Sequence, residues 1–175
     1  SEILGAHSVP TYKEYANDIH ESGQHLLNLI NEILDLSRIE AGRYELQEEA
    51  VTLTDIAEDC HRLLKLRAGK KGLTIIQNFQ EHLPQIWADE RAIRQVCLNL
   101  LSNAIKYTDE GKVVVSLALS DDPGLGASVR ITVEDTGIGI KADDREHLFE
   151  TFTQLDSAST RRAGGTGLGL AITAR

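Results

Sequence analysis

Three short clusters in this sequence carry groups suited to holding a phosphorylated nucleotide. Asn99, Asn103, Lys106 and Tyr107 are spaced by four, three and one positions, so on a helix they project from one face as a polar strip, with Leu98, Leu101 and Ala104 free to take the buried side. An amide oxygen is a hard donor of the kind Mg²⁺ accepts beside waters and phosphate oxygens, and the Lys106 ammonium could neutralise phosphate charge. Taken alone, the strip reads more readily as the wet face of an amphipathic helix.

The second cluster changes that balance. Asp135-Thr136-Gly137-Ile138-Gly139-Ile140 follows a hydrophobic strand, which puts a carboxylate at the strand end and two glycines where backbone can approach a ligand closely. Asp135 could accept a hydrogen bond from an adenine amino group, although Asp-x-Gly by itself is usually a turn. The third cluster, Gly164 to Leu170, places small residues directly ahead of a helix, whose free N–H groups and positive dipole end can receive phosphate oxygens. A dinucleotide fingerprint is excluded there, because no strand immediately precedes the glycines and no acidic residue follows. A Walker loop is excluded too, since neither Gly69-Lys70 nor Gly111-Lys112 is followed by Ser or Thr.

These clusters need elements to position them. From Arg43 onward short strands alternate with helices, the pattern of an α/β layer structure. Strands are expected at Tyr44–Glu48 and Leu73–Phe79, with a helix over Asp55–Lys70 capped by Thr54 and closed near Gly72. Asp89 opens a helix running to about Tyr107. After the Asp109-Glu110-Gly111 turn, Lys112–Leu119 and Val129–Glu134 read as a hairpin, and a last helix begins at Leu168 and continues to Arg175.

The segment before Arg43 is of another kind. From Thr11 to Ala41 the apolar residues Tyr15, Ile19, Leu26, Ile30, Ile33 and Leu34 recur every three or four positions, an amphipathic helix with Pro10 just before it and Gly42 as its stop. At roughly thirty residues it would extend ~45 Å, too far to bury its stripe on a small domain, so a coiled-coil or four-helix-bundle seam is expected. Ser1–Leu4 reads as the tail of a preceding helix and Gly5–Pro10 as the connecting turn.

Bulk properties bound the answer. The 175 residues, 41% hydrophobic and 26% charged, suit one folded domain with a helical appendage. A formal charge of −9 argues against a nucleic-acid partner, which would require Lys and Arg to displace counterions. Cys60 and Cys97 both lie in helical stretches and form no metal or redox spacing, so a reducing compartment is the simple reading. No apolar run reaches the length of a membrane span, and the absence of Met leads to the expectation of a piece of a longer protein.

The motifs together carry a family resemblance. Asn99-Leu100-Leu101-Ser102-Asn103-Ala104-Ile105-Lys106-Tyr107 resembles the N box of histidine kinases, and Asp135–Ile140 their G1 box. Leu148-Phe149-Glu150-Thr151-Phe152 is similar to their F box and Gly165–Leu170 to their G2 box, in the family's order. Tyr15–Gly42, ending Asp-Leu-Ser-Arg-Ile-Glu-Ala-Gly, resembles the second dimerisation helix, in particular that of alphaproteobacterial cell-cycle kinases of the PleC, DivJ and PdhS type.

The resemblance implies an α+β fold: the GHKL (Bergerat) two-layer sandwich with a mixed sheet, preceded by a long helix of a dimeric four-helix bundle. Residues 1–43 would be part of the dimerisation and phosphotransfer hairpin, and 44–175 an ATP-binding domain lacking its last strands. It implies ATP and Mg²⁺ as the bound species. Asn103, helped by Asn99, would hold the metal; Lys106 would touch phosphate; Tyr107 would line the adenine site; Asp135 and Gly139, with Gly137 and Ile140, would contact adenine. Phe152, Gly165, Thr166, Gly167, Leu168 and Gly169 would complete the nucleotide site. Thr153–Ala163 would be the ATP lid, and its Arg161-Arg162 pair could clamp the γ-phosphate, or else be a solvated surface pair.

The implied activity is transfer of the ATP γ-phosphoryl to a histidine outside this chain and onward to a response-regulator aspartate. None of His7, His20, His25, His61, His82 and His147 stands in the family's His-Glu/Asp-x-Arg-Pro context, so none is assigned as acceptor. The implied partners are a second copy, through the helical hairpin, and a receiver domain, with no nucleic acid and no membrane contact by this segment. The implied location is the cytoplasm, whether or not the parent is membrane-anchored. Two alternatives stand beside it: a nucleotide-sensing scaffold that binds a regulator without phosphoryl transfer, and a non-kinase GHKL ATPase.

Overall fold

Periodicity organises both parts of the chain. The structure, a computed structural model, describes residues 10–122, 126–151, 153 and 166–174, the side chains at positions 10, 11, 21, 25, 28 and 122 excepted. The chain divides into two units, Ser1–Tyr44 and Glu45–Arg175.

The first unit holds α1, Pro10–Glu40. Pro10 is its first residue rather than its forerunner, a position where the missing N–H has no intrahelical partner to lose. Gly42, at φ +63°, ends the helix, its N–H donating to the Ile39 carbonyl and the Arg43 N–H to that of Arg38. Tyr15, Ile19, Leu26, Ile30, Ile33 and Leu34 are all exposed, an apolar stripe along α1. His20 is exposed as well, whereas the His25 side chain and the expected upstream helix and turn fall outside the described residues.

The second unit runs β1 (Glu49–Val51), α2 (Leu53–Lys70), β2 (Thr74–Phe79), β3 (Ile86–Ala88), α3 (Glu90–Tyr107), β4 (Lys112–Asp122), β5 (Gly126–Asp135), a 3₁₀ turn (Ala142–His147) and α4 (Gly169–Thr173). One sheet has the order β2-β4-β5, with β2 parallel to β4 and β4 antiparallel to β5; β1 and β3 form a separate antiparallel pair. The β4/β5 register sets Val113 opposite Asp135, at the end of the sheet nearest α3's last turn. The α+β class with a mixed sheet is as the motifs implied.

A single core joins helices to sheet. Ile56, Ala57, Cys60 and Ala68 of α2, Cys97, Leu101, Ala104 and Ile105 of α3, and Val113, Val115 and Leu117 of β4 are buried together. The helical residues recur at intervals of three and four and the β4 residues at two, so each element turns one apolar face inward. Both cysteines are buried and free of disulfide.

Several boundaries differ from expectation, each for a tertiary reason. The strand expected at Tyr44–Glu48 forms instead at Glu49–Val51, because its partner is β3, and the Gln47 N–H donates to the Asp89 carboxylate rather than to a strand. β3 itself, only three residues long, shows no periodic signal in the sequence. The α2 cap is Thr52, not Thr54. Burial of Leu53 and Ile56 draws the helix start forward, and the Thr52 hydroxyl accepts from Gln85 instead of capping. The β4/β5 ladder outruns its apolar pattern to Asp122 and Gly126, and α4 begins at Gly169, with the buried Leu168 ahead of it as its N-cap residue.

Candidate functional site

The site is built on α3. Asp89, 3% exposed, caps its start by accepting from the Arg91 N–H at 2.9 Å and the Ala92 N–H at 3.2 Å. Its other oxygen accepts from the Gln47 N–H at 2.9 Å. These backbone hydrogen bonds, led by that from Gln47, hold the Asp89 carboxyl below the ordinary carboxylate range.

The last carbonyls of a helix have no intrahelical partner. At the end of α3 the Lys71 Nζ donates to the carbonyls of Ile105 (3.0 Å), Lys106 (2.9 Å) and Thr108 (3.0 Å). The Tyr107 carbonyl accepts from the Ile138 N–H at 3.3 Å. Lys106 does not cap the helix; its Nζ lies 4.6 Å from the centroid of the Tyr107 ring.

That same turn carries the loop after β5. Asp135 Oδ1 accepts from the Gly137 N–H at 2.8 Å and from the Thr108 hydroxyl at 3.5 Å, and Oδ2 makes no hydrogen bond among the described residues. Gly137 is required by close approach: a Cβ there would lie 2.3 Å from the Tyr107 carbonyl oxygen and 2.9 Å from the Thr108 hydroxyl. Thr136 anchors the loop's other side, its hydroxyl accepting from the Lys112 N–H at 3.1 Å. Gly139 follows at φ +67°, with Ile138 and Ile140 exposed beside it.

The third cluster reaches α3 about two turns earlier, at Asn99. The Asn99 amide nitrogen donates to the Gly169 carbonyl at 3.0 Å and to the Thr173 hydroxyl at 3.4 Å, while its oxygen accepts from Gln95 at 3.3 Å. Thr166 accepts from the Leu168 N–H at 3.1 Å, Gly167 has φ +71°, and Leu168 is fully buried. Asn99 is thus engaged in seating α4, whereas Asn103, half-buried, makes no side-chain hydrogen bond among the described residues. The three clusters therefore meet on one helix. Phe152, Arg161, Arg162 and Gly165, expected in the site, lie outside the described residues, as does the segment beyond Thr153 expected to be the lid.

The family described as Histidine kinase-, DNA gyrase B-, and HSP90-like ATPase matches residues 88–175, and the His Kinase A (phospho-acceptor) domain matches residues 1–42. The chain belongs to the histidine kinases. It is 48% identical over 174 residues to the Non-motile and phage-resistance protein of Caulobacter vibrioides, a match covering 99% of this chain and 20% of that protein. It is 40% identical over 170 residues to the Cell-division control histidine kinase PdhS of Brucella ovis, covering 93% of this chain and 16% of PdhS. The full-length structure of ShkA in complex with AMPPNP superposes with a TM-score of 0.79 at 35% identity, covering 97% of this chain and 34% of ShkA. The chain thus spans a fifth or less of the two curated relatives and about a third of ShkA. Among the described residues no helix is long and apolar enough to cross a membrane.

In this histidine-kinase chain a 3₁₀ turn precedes the segment resembling the F box, and its last residue, His147, meets Glu150 of that segment at 2.8 Å, both side chains exposed. The Glu150 hydrogen bond and charge raise the His147 pKa above the ordinary histidine value. Sequence reasoning missed Lys71 and Thr108. Lys71 sits in a Lys-Lys-Gly helix end that reads as solvated charge, and Thr108 as a polar residue after a helix. Only the convergence of α2, α3 and the β5 loop distinguishes them.

Proposed function

We propose that this chain is the ATP-binding core of a sensor histidine kinase. The observation that carries the reading is the Asp135 carboxylate at the end of β5. One oxygen is occupied by the Gly137 N–H and the Thr108 hydroxyl, which fixes the group, and the other is left to accept a hydrogen bond. An adenine amino group is the fitting donor. The AMPPNP complex of ShkA supports a nucleotide in this family site.

Around that anchor, Tyr107, Gly137, Gly139 and Ile140 line the adenine. Lys106 meets the phosphates, and the backbone of Thr166, Gly167, Leu168 and Gly169, with Gly165, takes phosphate oxygens. The uncommitted amide of Asn103 suits a hard cation, and Asn99, whose amide nitrogen holds α4, would help with its oxygen. Mg²⁺ there would neutralise phosphate charge. By the family resemblance Phe152 would complete the nucleotide site, and Arg161 and Arg162 would meet the γ-phosphoryl as charge develops in transfer.

The reaction is attack of a histidine imidazole nitrogen on the γ-phosphorus, with cleavage of its bond to the β–γ bridging oxygen and departure of ADP. The acceptor belongs to the hairpin's first helix, and the phosphoryl then passes to a response-regulator aspartate. Residues 1–43 serve as the dimerisation hairpin and 44–175 as the catalytic domain. The exposed stripe of α1 supports a second copy as the partner that covers it. The cytoplasm is the proposed location.

Calorimetric titration of the 175-residue chain with ATP and Mg²⁺ tests the site: binding is expected, and Asp135→Asn should weaken it at least about ten-fold, the scale of a lost hydrogen bond to a charged group. Undiminished affinity in Asp135→Asn would overturn the assignment. Acid-labile phosphate on a longer chain bearing the first helix tests the transfer itself.

A further inference from the structure

We propose that Lys71 is a positioning residue for the nucleotide site, holding the last turn of α3 in the shape that the Asp135 loop docks on. This rests on the nucleotide reading above.

An exposed lysine ordinarily keeps its ammonium hydrated. Lys71, whose side chain is 36% exposed, instead directs Nζ at three carbonyls between 2.9 and 3.0 Å. An ammonium has three N–H donors, so the set is saturated. Its positive charge sits at the negative end of α3, and Asp109 approaches at 3.5 Å.

The placement is not left to a flexible tail. Lys71 is the C-cap of α2, and Gly72, at φ +72°, reverses the chain, with its N–H on Gly69 and the Leu73 N–H on Ala68. Leu73 and Ala68 are buried together, so the turn is fixed in the core from which the lysine reaches.

The consequence passes through backbone. Ile105 and Thr108 are both 0% exposed, so without Lys71 their carbonyls lose a partner where water has poor access. The turn they belong to presents the Tyr107 carbonyl to Ile138 and the Thr108 hydroxyl to Asp135. With Ile138 on Tyr107 and Lys71 on its neighbours, the end of α3 is shared between α2 and the adenine loop. A shift of the turn would displace both the Tyr107 carbonyl that seats the Ile138 N–H and the Thr108 hydroxyl that reaches Asp135.

The test compares the full chain with Lys71→Met, which keeps the aliphatic stem, Lys71→Arg, which keeps the charge but offers a planar fork, and Lys70→Met as a control on the same helix end. Hydrogen-exchange protection of the Ile138 amide is read beside that of the β4/β5 ladder, and the Kd for Mg·ATP is measured. The expected result is loss of Ile138 protection with the ladder intact, and a Kd raised about ten-fold in both Lys71 variants but not in Lys70→Met. Wild-type Ile138 protection in Lys71→Met would overturn the proposal. So would a parallel loss across the ladder, which marks a general stabiliser, or full rescue by Arg. If Asp135→Asn binds Mg·ATP normally, the nucleotide reading fails, and Ile138 protection still decides the role of Lys71.

Discussion

The Thr108 hydroxyl and the Asp135 carboxylate meet at 3.5 Å, joining the residue after α3 to the last residue of β5. Thr108 is fully buried, so its hydroxyl is held where Asp135 needs a second donor beside the Gly137 N–H. The contact is long, and Gly137 at 2.8 Å is the stronger partner. Thr108→Val should therefore weaken nucleotide binding by only about three-fold and stability by about 1 kcal/mol. Titration calorimetry with a urea melt separates the two, and a loss as large as that of Asp135→Asn would show Thr108 to be the principal anchor.

Gly137→Ala should do more, and for a steric reason. Its Cβ would lie 2.3 Å from the Tyr107 carbonyl, which is backbone and cannot swing aside as a side chain can. The loop must lift from α3, at a stability cost of roughly 1–3 kcal/mol. The Ile138 amide should lose its hydrogen bond, and nucleotide affinity should fall by at least ten-fold. Unaltered Ile138 exchange in this variant would contradict the packing described.

Asp89 makes stability depend on acid. Its folded pKa lies below the ordinary value, so the stabilisation is present above the unfolded carboxylate pKa of about 3.9 and is lost as pH falls through the folded value. Asp89→Ala removes the α3 cap and the tie to Gln47, at a cost of about 1–2 kcal/mol near neutrality. Thermal melts across the acid range should show the gap between wild type and variant closing as pH drops. A constant gap would mean that the carboxylate charge contributes nothing.

His147 and Glu150 make a second titrating pair of opposite sign. Because the folded His147 pKa is raised, whatever the pair contributes is fully present below the unfolded value of about 6.5 and fades as pH rises through the folded one. Both groups are exposed, so the effect belongs in a titration curve rather than a melting curve. An NMR titration of the imidazole protons should place the wild-type midpoint above that of Glu150→Gln. Coincident midpoints would dispose of the pair.

The elements that local rules govern were legible in the sequence. α3 announced itself by the spacing of Leu98, Leu101 and Ala104 and by the cap Asp89, and the β4/β5 hairpin by alternation, because helix and strand periods are imposed by backbone geometry alone. The glycine after Asp135 marked a close approach for the same reason. What tertiary structure decided are contacts between residues far apart in the chain. β1 and β3, three residues each, exist only as a pair. Asn99 and Asn103 look alike on one helix face, yet Asn99 is engaged by Gly169, seventy positions on, and Asn103 is not. Lys71 and Lys70 are adjacent identical side chains, and only the direction in which α2 ends sends one of them to carbonyls up to 37 positions away. Residue type and spacing name the groups able to hold a nucleotide; which of them are free to do so depends on neighbours that only folding supplies.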